Sequence, residues 1–81
     1  MKVQVRLFAA LRETLGQDQL ELELPPGTTI DGLWDRLLER DPRLAPFAGS
    51  VSFAVNHDFV ARDKELLPDD EVAFLPPVSG G

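Results

Sequence analysis

The sequence contains no cysteine, which excludes disulfide bonds and thiolate-bound metal ions as sources of stability. Chains of this length often depend on such cross-links, because a small domain buries little apolar surface. The 81 residues leave room for one domain, and a hydrophobic content of 43% makes one well-packed core feasible. A chain without cysteine is also compatible with a reducing compartment, and we expect a cytoplasmic protein.

Basic residues are scarce as well. Eight lysines and arginines stand against fourteen acidic residues, for a net charge of −6. Binding to nucleic acid or to an anionic membrane requires a basic face, so we expect neither partner. An acidic surface suits a basic protein partner, although solubility alone would also explain the charge. No apolar run approaches the roughly 20 residues of a membrane span, and no signal peptide is visible.

The residues that usually carry catalysis are nearly missing. The single histidine, His57, lies beside Asp58 in a segment predicted to be a turn. We interpret it as an exposed turn residue, not as half of a catalytic base. The sequence has no glycine-rich phosphate loop and no pair of histidines at metal-binding spacing. The acidic pair Asp69-Asp70 is typical of a turn, and no metal site is expected.

Alternation between apolar and polar residues predicts the β-strands. In the first strand Val3, Val5 and Leu7 share one face, and Phe8 interrupts the otherwise polar side. A short helical turn over 10–15 follows and closes at Gly16. The predicted strands cover residues 2–9, 18–24, 51–56 and 71–75, with a short further strand at 59–61.

One amphipathic helix is predicted between the second and third strands. Thr29 is a suitable N-cap, and Asp41-Pro42 ends the helix. The apolar stripe of this helix consists of Ile30, Leu33, Trp34, Leu37 and Leu38. The order of elements predicts an α+β fold, in which a mixed sheet of four to five strands is covered by one main helix. The first and last strands are expected side by side at the sheet centre, with a right-handed crossover through the helix.

The C-terminal segment is the most informative part of the sequence. We predict a domain over 1–75 and a flexible tail over 76–81 that ends in Gly80-Gly81. Two prolines stop strand pairing and favour an extended start to the tail. The four residues after them reach roughly 13 Å, and the glycines let the backbone approach closely. Such a tail can bring its terminal carboxylate into a buried site, although many chains also end in frayed small residues.

These segments resemble a known family. The segments that carry the resemblance are VQVRLFAALRE at 3–13, AVN at 54–56 and LPDDEVAFLPPVSGG at 67–81. Together they resemble the small subunit of molybdopterin synthase (the MoaD family) over essentially the whole chain. Asp70 departs from the family, which commonly has glycine at that position between acidic residues. That difference concerns the geometry of the turn, and it leaves the chemistry of the tail unchanged.

The resemblance implies a ubiquitin-like β-grasp fold and a role as sulfur carrier. An E1-like (MoeB-like) adenylyltransferase would use ATP to activate the Gly81 carboxylate, which is then converted to a thiocarboxylate. The tail would enter the large (MoaE-like) subunit in a heterotetramer and donate sulfur to cyclic pyranopterin monophosphate, forming the molybdopterin dithiolene. The chain itself would bind no cofactor and supply no catalytic side chain. Sulfur carriage for thiamine or tRNA thiolation, protein modification through the C-terminus, and a plain interaction domain remain alternatives.

Apolar residues beside the tail are candidates for partner binding. Phe8 lies on a predicted polar face, and Leu75 ends the last strand. We hypothesise that both belong to an exposed apolar patch that docks the partner enzymes. They could instead cover a second small core against the loop after Gly16. The other residues assigned to partner binding are Arg12, Phe74, Pro76, Pro77, Val78 and Ser79.

Overall fold

The computed structural model describes residues 1–76. The predicted tail residues Pro77, Val78, Ser79, Gly80 and Gly81 lie outside the described residues. The elements are β1 (Lys2–Leu7), α1 (Ala9–Leu15), β2 (Gln19–Glu23), α2 (Ile30–Arg40), a 3₁₀ helix (Pro42–Phe47), β3 (Ser52–Val55), β4 (Asp58–Val60) and β5 (Glu71–Leu75). The predicted strands and the main helix are all found, in the predicted order.

The five strands form one mixed sheet in the order β2-β1-β5-β3-β4. β1 and β5 are parallel, whereas the other neighbouring strands are antiparallel. The prediction of a β-grasp sheet with β1 and β5 at its centre is therefore confirmed. The pairing of Leu7 with Phe74 brings the ends of β1 and β5 to the same edge of the sheet. We call this the tail edge, because α1 and Pro76 both follow there.

Helix α2 forms for the local reasons that the sequence predicts. The Thr29 hydroxyl oxygen accepts a hydrogen bond of 3.2 Å from the Gly32 amide, which satisfies one of the free donors of the first turn. The helix ends at Asp41, since the residue before Pro42 avoids the helical region. Its apolar stripe is buried against the sheet at Ile30, Leu33, Trp34 and Leu37.

Three aromatic rings form the centre of the core. Trp34 packs edge-on against Phe74 at a centroid distance of 5.4 Å and against Phe53 at 6.0 Å. Phe53 and Phe74 are 5.3 Å apart, also edge-on. This geometry is the one that aromatic quadrupoles prefer, and it adds about 0.5–1.5 kcal/mol per pair to the burial itself.

The structure differs from the predicted elements at two places. Strand β1 ends at Leu7 instead of at residue 9, because Ala9 adopts φ 48° and turns the chain into α1. The predicted loop after α2 contains the 3₁₀ helix instead. Proline at its start suits a helical first position, and the burial of Leu44 holds the segment to the core. Within residues 1–76 no helix has the length and apolar character needed to cross a membrane.

Candidate partner-binding face

Only one face of the sheet is covered by α2, and we call the other the open face. Along β5, Val72 and Phe74 are buried on the helix side, whereas Glu71, Ala73 and Leu75 are half-buried on the open face. The alternation follows from the pleat, which directs successive side chains to opposite sides. The exposed and half-buried residues of the open face are therefore those that a partner protein can reach.

Strand pairing places an apolar row across the open face. Ala73 pairs with Arg6 on one side and with Ala54 on the other, and Ala54 pairs with Phe59. Phe59 lies on the open face because its neighbour Val60 is opposite the core residue Phe53. The Phe59 side chain is 75% exposed. Exposed apolar residues that adjoin one another on a sheet face are typical of a binding surface.

Phe8 and Leu75 both lie at the tail edge of the same face. Leu7 and Phe74 pair in the parallel register. Phe8 follows Leu7 and Leu75 follows Phe74, so both lie one residue beyond that pair. The Phe8 ring is 6.0 Å from the guanidinium of Arg6, which also lies on the open face. Phe8 is 38% exposed and lies outside the core cluster. This placement fits the patch hypothesis better than a second small core, and docking by these residues stays a prediction.

The other residues assigned to partner binding are placed differently. Phe74 is fully buried, so it belongs to the core and its assignment to a partner-binding surface is corrected. The period-two pattern explains this, because Phe74 and Leu75 are consecutive and lie on opposite faces. Arg12 is exposed on α1, which is anchored by the buried Leu11 and capped by Gly16 at φ 73°. Pro76 is half-buried at the tail edge.

Phe59 was not predicted from the sequence as a site residue. It lies in a strand of three residues, which is too short for a period-two pattern to assign its face. Its partner Ala54 becomes a neighbour only through strand pairing. The one available signal is a large apolar residue two positions after the Asn56–His57 turn, in an edge strand.

The open face divides into two parts of different character. The apolar half comprises Phe8, Phe59, Ala73 and Leu75, together with Ala54, which is itself buried. The charged half comprises Lys2, Gln4, Arg6, Glu21 and Glu71. Gln4 Nε2 donates to Glu21 Oε2 at 2.8 Å. Arg6 approaches Glu71 at 3.9 Å, and Lys2 approaches Glu21 at 3.8 Å. The apolar half adjoins the point where the tail begins, whereas the charged half lies towards the start of β1.

The described residues show no sign of a catalytic or metal site. Within residues 1–76 no group of three or more metal-ligating side chains is found. His57 is exposed in its turn at φ 76°. Asp70 is buried, but its two carboxylate oxygens accept hydrogen bonds from the Asn56 amide at 3.0 Å and from the Leu67 backbone at 2.8 Å. Asp70 therefore shapes the turn into β5.

Comparison with known proteins identifies relatives over the full length. The model of the ThiS family matches residues 5–81. The molybdopterin synthase sulfur carrier subunit of Mycobacterium tuberculosis is 41% identical over 83 residues, covering 100% of this chain and 99% of the relative. The structure of a putative molybdopterin converting factor, subunit 1, from Pyrococcus furiosus is 32% identical with a TM-score of 0.87, covering 96% of this chain and 99% of that one. SAMP1 from Haloferax volcanii is 26% identical with a TM-score of 0.87, and each chain is covered completely.

Proposed function

Because this chain belongs to the ThiS family, we propose that it is the sulfur carrier subunit of a molybdopterin synthase. Relatives of that name match it from end to end. The structural observation that carries the proposal is the parallel pairing of β1 with β5. This pairing brings Phe8, Leu75 and the start of the tail to one edge beside the open face. A partner that covers the open face thereby lies beside Pro76, after which the remaining tail residues follow.

The reactive group in this proposal is the carboxylate of Gly81. A free carboxylate is a poor electrophile, so an E1-like adenylyltransferase first uses ATP to form the glycyl adenylate and releases pyrophosphate. A sulfur nucleophile then attacks the acyl carbon, AMP leaves, and a thiocarboxylate results. This group is anionic near neutral pH and nucleophilic through sulfur, which suits transfer to the pterin precursor. The chain contributes the carrier end, and the partners contribute the catalytic groups.

The large synthase subunit and the adenylyltransferase dock on the apolar half of the open face in this proposal. Phe59 and Phe8 are exposed aromatic residues, and an aromatic side chain removes about 150–250 Å² from water when it is buried. Such residues often dominate binding energy when they fill a pocket of the partner. Since both partners need the same tail and the same face, they bind one after the other and compete.

Reconstitution tests the proposal. The full chain is combined with the large subunit, the adenylyltransferase, ATP, a sulfur donor and cyclic pyranopterin monophosphate, and the dithiolene product is assayed. Mass spectrometry should show one oxygen of the chain replaced by sulfur after activation. A chain extended by one residue beyond Gly81 should gain no sulfur and support no product. Product formation by the extended chain without trimming would contradict the proposal.

Protein modification is a second candidate, because the chain shares its fold closely with SAMP1, a small archaeal modifier protein. In this case the activated carboxyl group of Gly81 forms an amide bond with lysine side chains of target proteins. Proteomic analysis separates the two functions. Trypsin cleaves the chain for the last time after Lys64, so residues 65–81 found as a branch on the lysines of other proteins support modification. A terminal thiocarboxylate on the free chain supports sulfur carriage.

A further inference from the structure

Arg6 is the one arginine in the five strands of the sheet, and it lies at the border between the two halves of the open face. It pairs with Ala73 of the apolar half, and its guanidinium is 6.0 Å from the Phe8 ring. It also faces Glu71 of the charged half, which lies two residues before Ala73 in the same strand. A partner that covers the apolar half must therefore also approach the guanidinium of Arg6.

The contacts of Arg6 are weak compared with those of Arg43 and Arg62. Arg43 makes two hydrogen bonds to the Asp41 carboxylate, at 2.9 and 2.7 Å. Arg62 donates to Asp31 at 3.0 Å and to the Ala48 carbonyl. The side chain of Arg6 makes no hydrogen bond to any of residues 1–76, and its ion pair with Glu71 is a single approach at 3.9 Å.

The free state tolerates this arrangement because water solvates the guanidinium. The side chains of Arg6 and Glu71 are 41% and 39% exposed. A docked partner removes part of this water, and a desolvated charge that gains no hydrogen bond opposes binding. The planar guanidinium offers paired donors whose spacing fits a carboxylate. A partner that presents a carboxylate opposite Arg6 satisfies these donors, whereas an apolar or basic surface leaves them unpaired.

We infer that Arg6 is a specificity-determining contact of the open face, and that the proteins that bind this chain present a carboxylate opposite it. This inference rests on the proposed docking of partners on the open face. The apolar half supplies affinity. A partner surface that fits the apolar half but has no acidic residue opposite Arg6 binds more weakly, because the guanidinium then loses water and gains no hydrogen bond. Selection against the wrong partner by an unpaired charge is an established route to specificity.

Binding measurements on single variants test the role of Arg6. The dissociation constant of the full chain for the large synthase subunit is measured by calorimetry for wild type, Arg6→Met and Arg6→Lys. Methionine keeps much of the stem and removes the charge, so we expect binding to weaken roughly tenfold. Lysine keeps the charge but lacks the planar guanidinium, so Arg6→Lys should lose less binding affinity than Arg6→Met. The effect of Arg6→Met should also shrink as ionic strength rises.

Lys2→Met is the matched control, because it removes a positive charge from the same strand and the same face, away from the apolar half. It should change the dissociation constant by less than about twofold. Phe59→Ser separates the failure of this inference from the failure of the proposed docking. If Phe59→Ser weakens binding while Arg6→Met binds as well as wild type, the role of Arg6 is wrong and docking on the open face stands. If both variants bind as well as wild type, the open face is not the docking surface and both proposals are wrong.

Discussion

Phe74 and Leu75 are consecutive residues of β5, and their side chains lie on opposite faces of the sheet. Phe74 is fully buried between Trp34 and Phe53 on the helix side. Leu75 is half-buried on the open face, where it pairs with Ser52 and ends the strand before the tail. Substitution of these two neighbours should therefore separate the stability of the fold from the binding of a partner.

Phe74→Ala should destabilise the protein strongly. The substitution removes a buried ring and two edge-on aromatic contacts, and large-to-small changes of this kind cost about 3–5 kcal/mol. Urea denaturation followed by the fluorescence of Trp34, the single tryptophan, measures the change in the free energy of unfolding. A loss below about 1 kcal/mol would show that the ring contributes little to the core.

Leu75→Glu should leave the fold intact and weaken partner binding. The side chain is already partly in water, so a charge there costs little in the free protein but is desolvated when a partner covers it. The dissociation constant for the large subunit and the unfolding midpoint are measured together. Leu67→Glu is the control, because it makes the same change at an exposed leucine that lies outside the strands of the open face. Unfolding of the Leu75 variant would show that this side chain is part of the core.

Phe59→Ser should weaken partner binding without loss of stability. Because the ring is 75% exposed, its removal should change the free energy of unfolding by no more than about 0.5 kcal/mol. Titration with each partner enzyme checks the prediction for binding. Leu67→Ser is a matched control, since Leu67 is also a large exposed apolar residue, at 58%, but lies outside the strands of the open face. Equal effects of the two substitutions would contradict a specific role for Phe59.

Ala9→Gly should stabilise the protein, although glycine usually destabilises a helix. Ala9 has φ 48°, a left-handed conformation that costs a residue with a side chain about 1–2 kcal/mol. Glycine removes this cost but loses more entropy on folding, so a net gain of about 0.5–1 kcal/mol is expected. Ala10→Gly makes the same change at the next position of α1, and it should lower the free energy of unfolding by about the amount that Ala9→Gly raises it. Thermal denaturation of both variants checks the predicted difference in sign.

Asp41 should make the stability of the protein sensitive to acid. Its hydrogen bond from the Arg43 side chain holds the pKa of the Asp41 carboxyl below its ordinary value, and the backbone amide and the charge of Arg43 act in the same direction. Since the pKa is lower in the folded state, the carboxylate contributes stability above the pKa of the unfolded chain. This contribution is lost as the pH falls through the folded pKa, which places the change below about pH 4.

The Asp41→Asn variant tests this dependence. It should be less stable than wild type at pH 7, and the difference should close as the pH is lowered below about 4. Urea denaturation at several pH values gives both curves. Asp35→Asn, on the outer face of α2, controls for the general effect of removing an exposed acid. A constant difference between Asp41→Asn and wild type at all pH values would contradict the role of the ionised carboxylate.

Much of the fold could be predicted because local patterns carry it. The spacing of Ile30, Leu33, Trp34 and Leu37 specifies one helix face, and the structure buries that face. Two features escaped prediction because nothing local signals them. The left-handed conformation of Ala9 is imposed by the turn from β1 into α1. The position of Phe59 depends on its pairing with a residue of another strand.

The sequence by itself determined the spacing at which side chains of each helix and strand return to the same face. It therefore determined that Phe74 and Leu75 lie on opposite sides of β5. It also placed Gly80-Gly81 shortly after the last strand, and its resemblance to a known family identified the function to test. Only the tertiary structure decided which of the two side chains is buried, and which residues join Leu75 on the open face. The physical reason is that a period is set between neighbours along the chain, whereas burial is set by α2 and by strands distant in sequence.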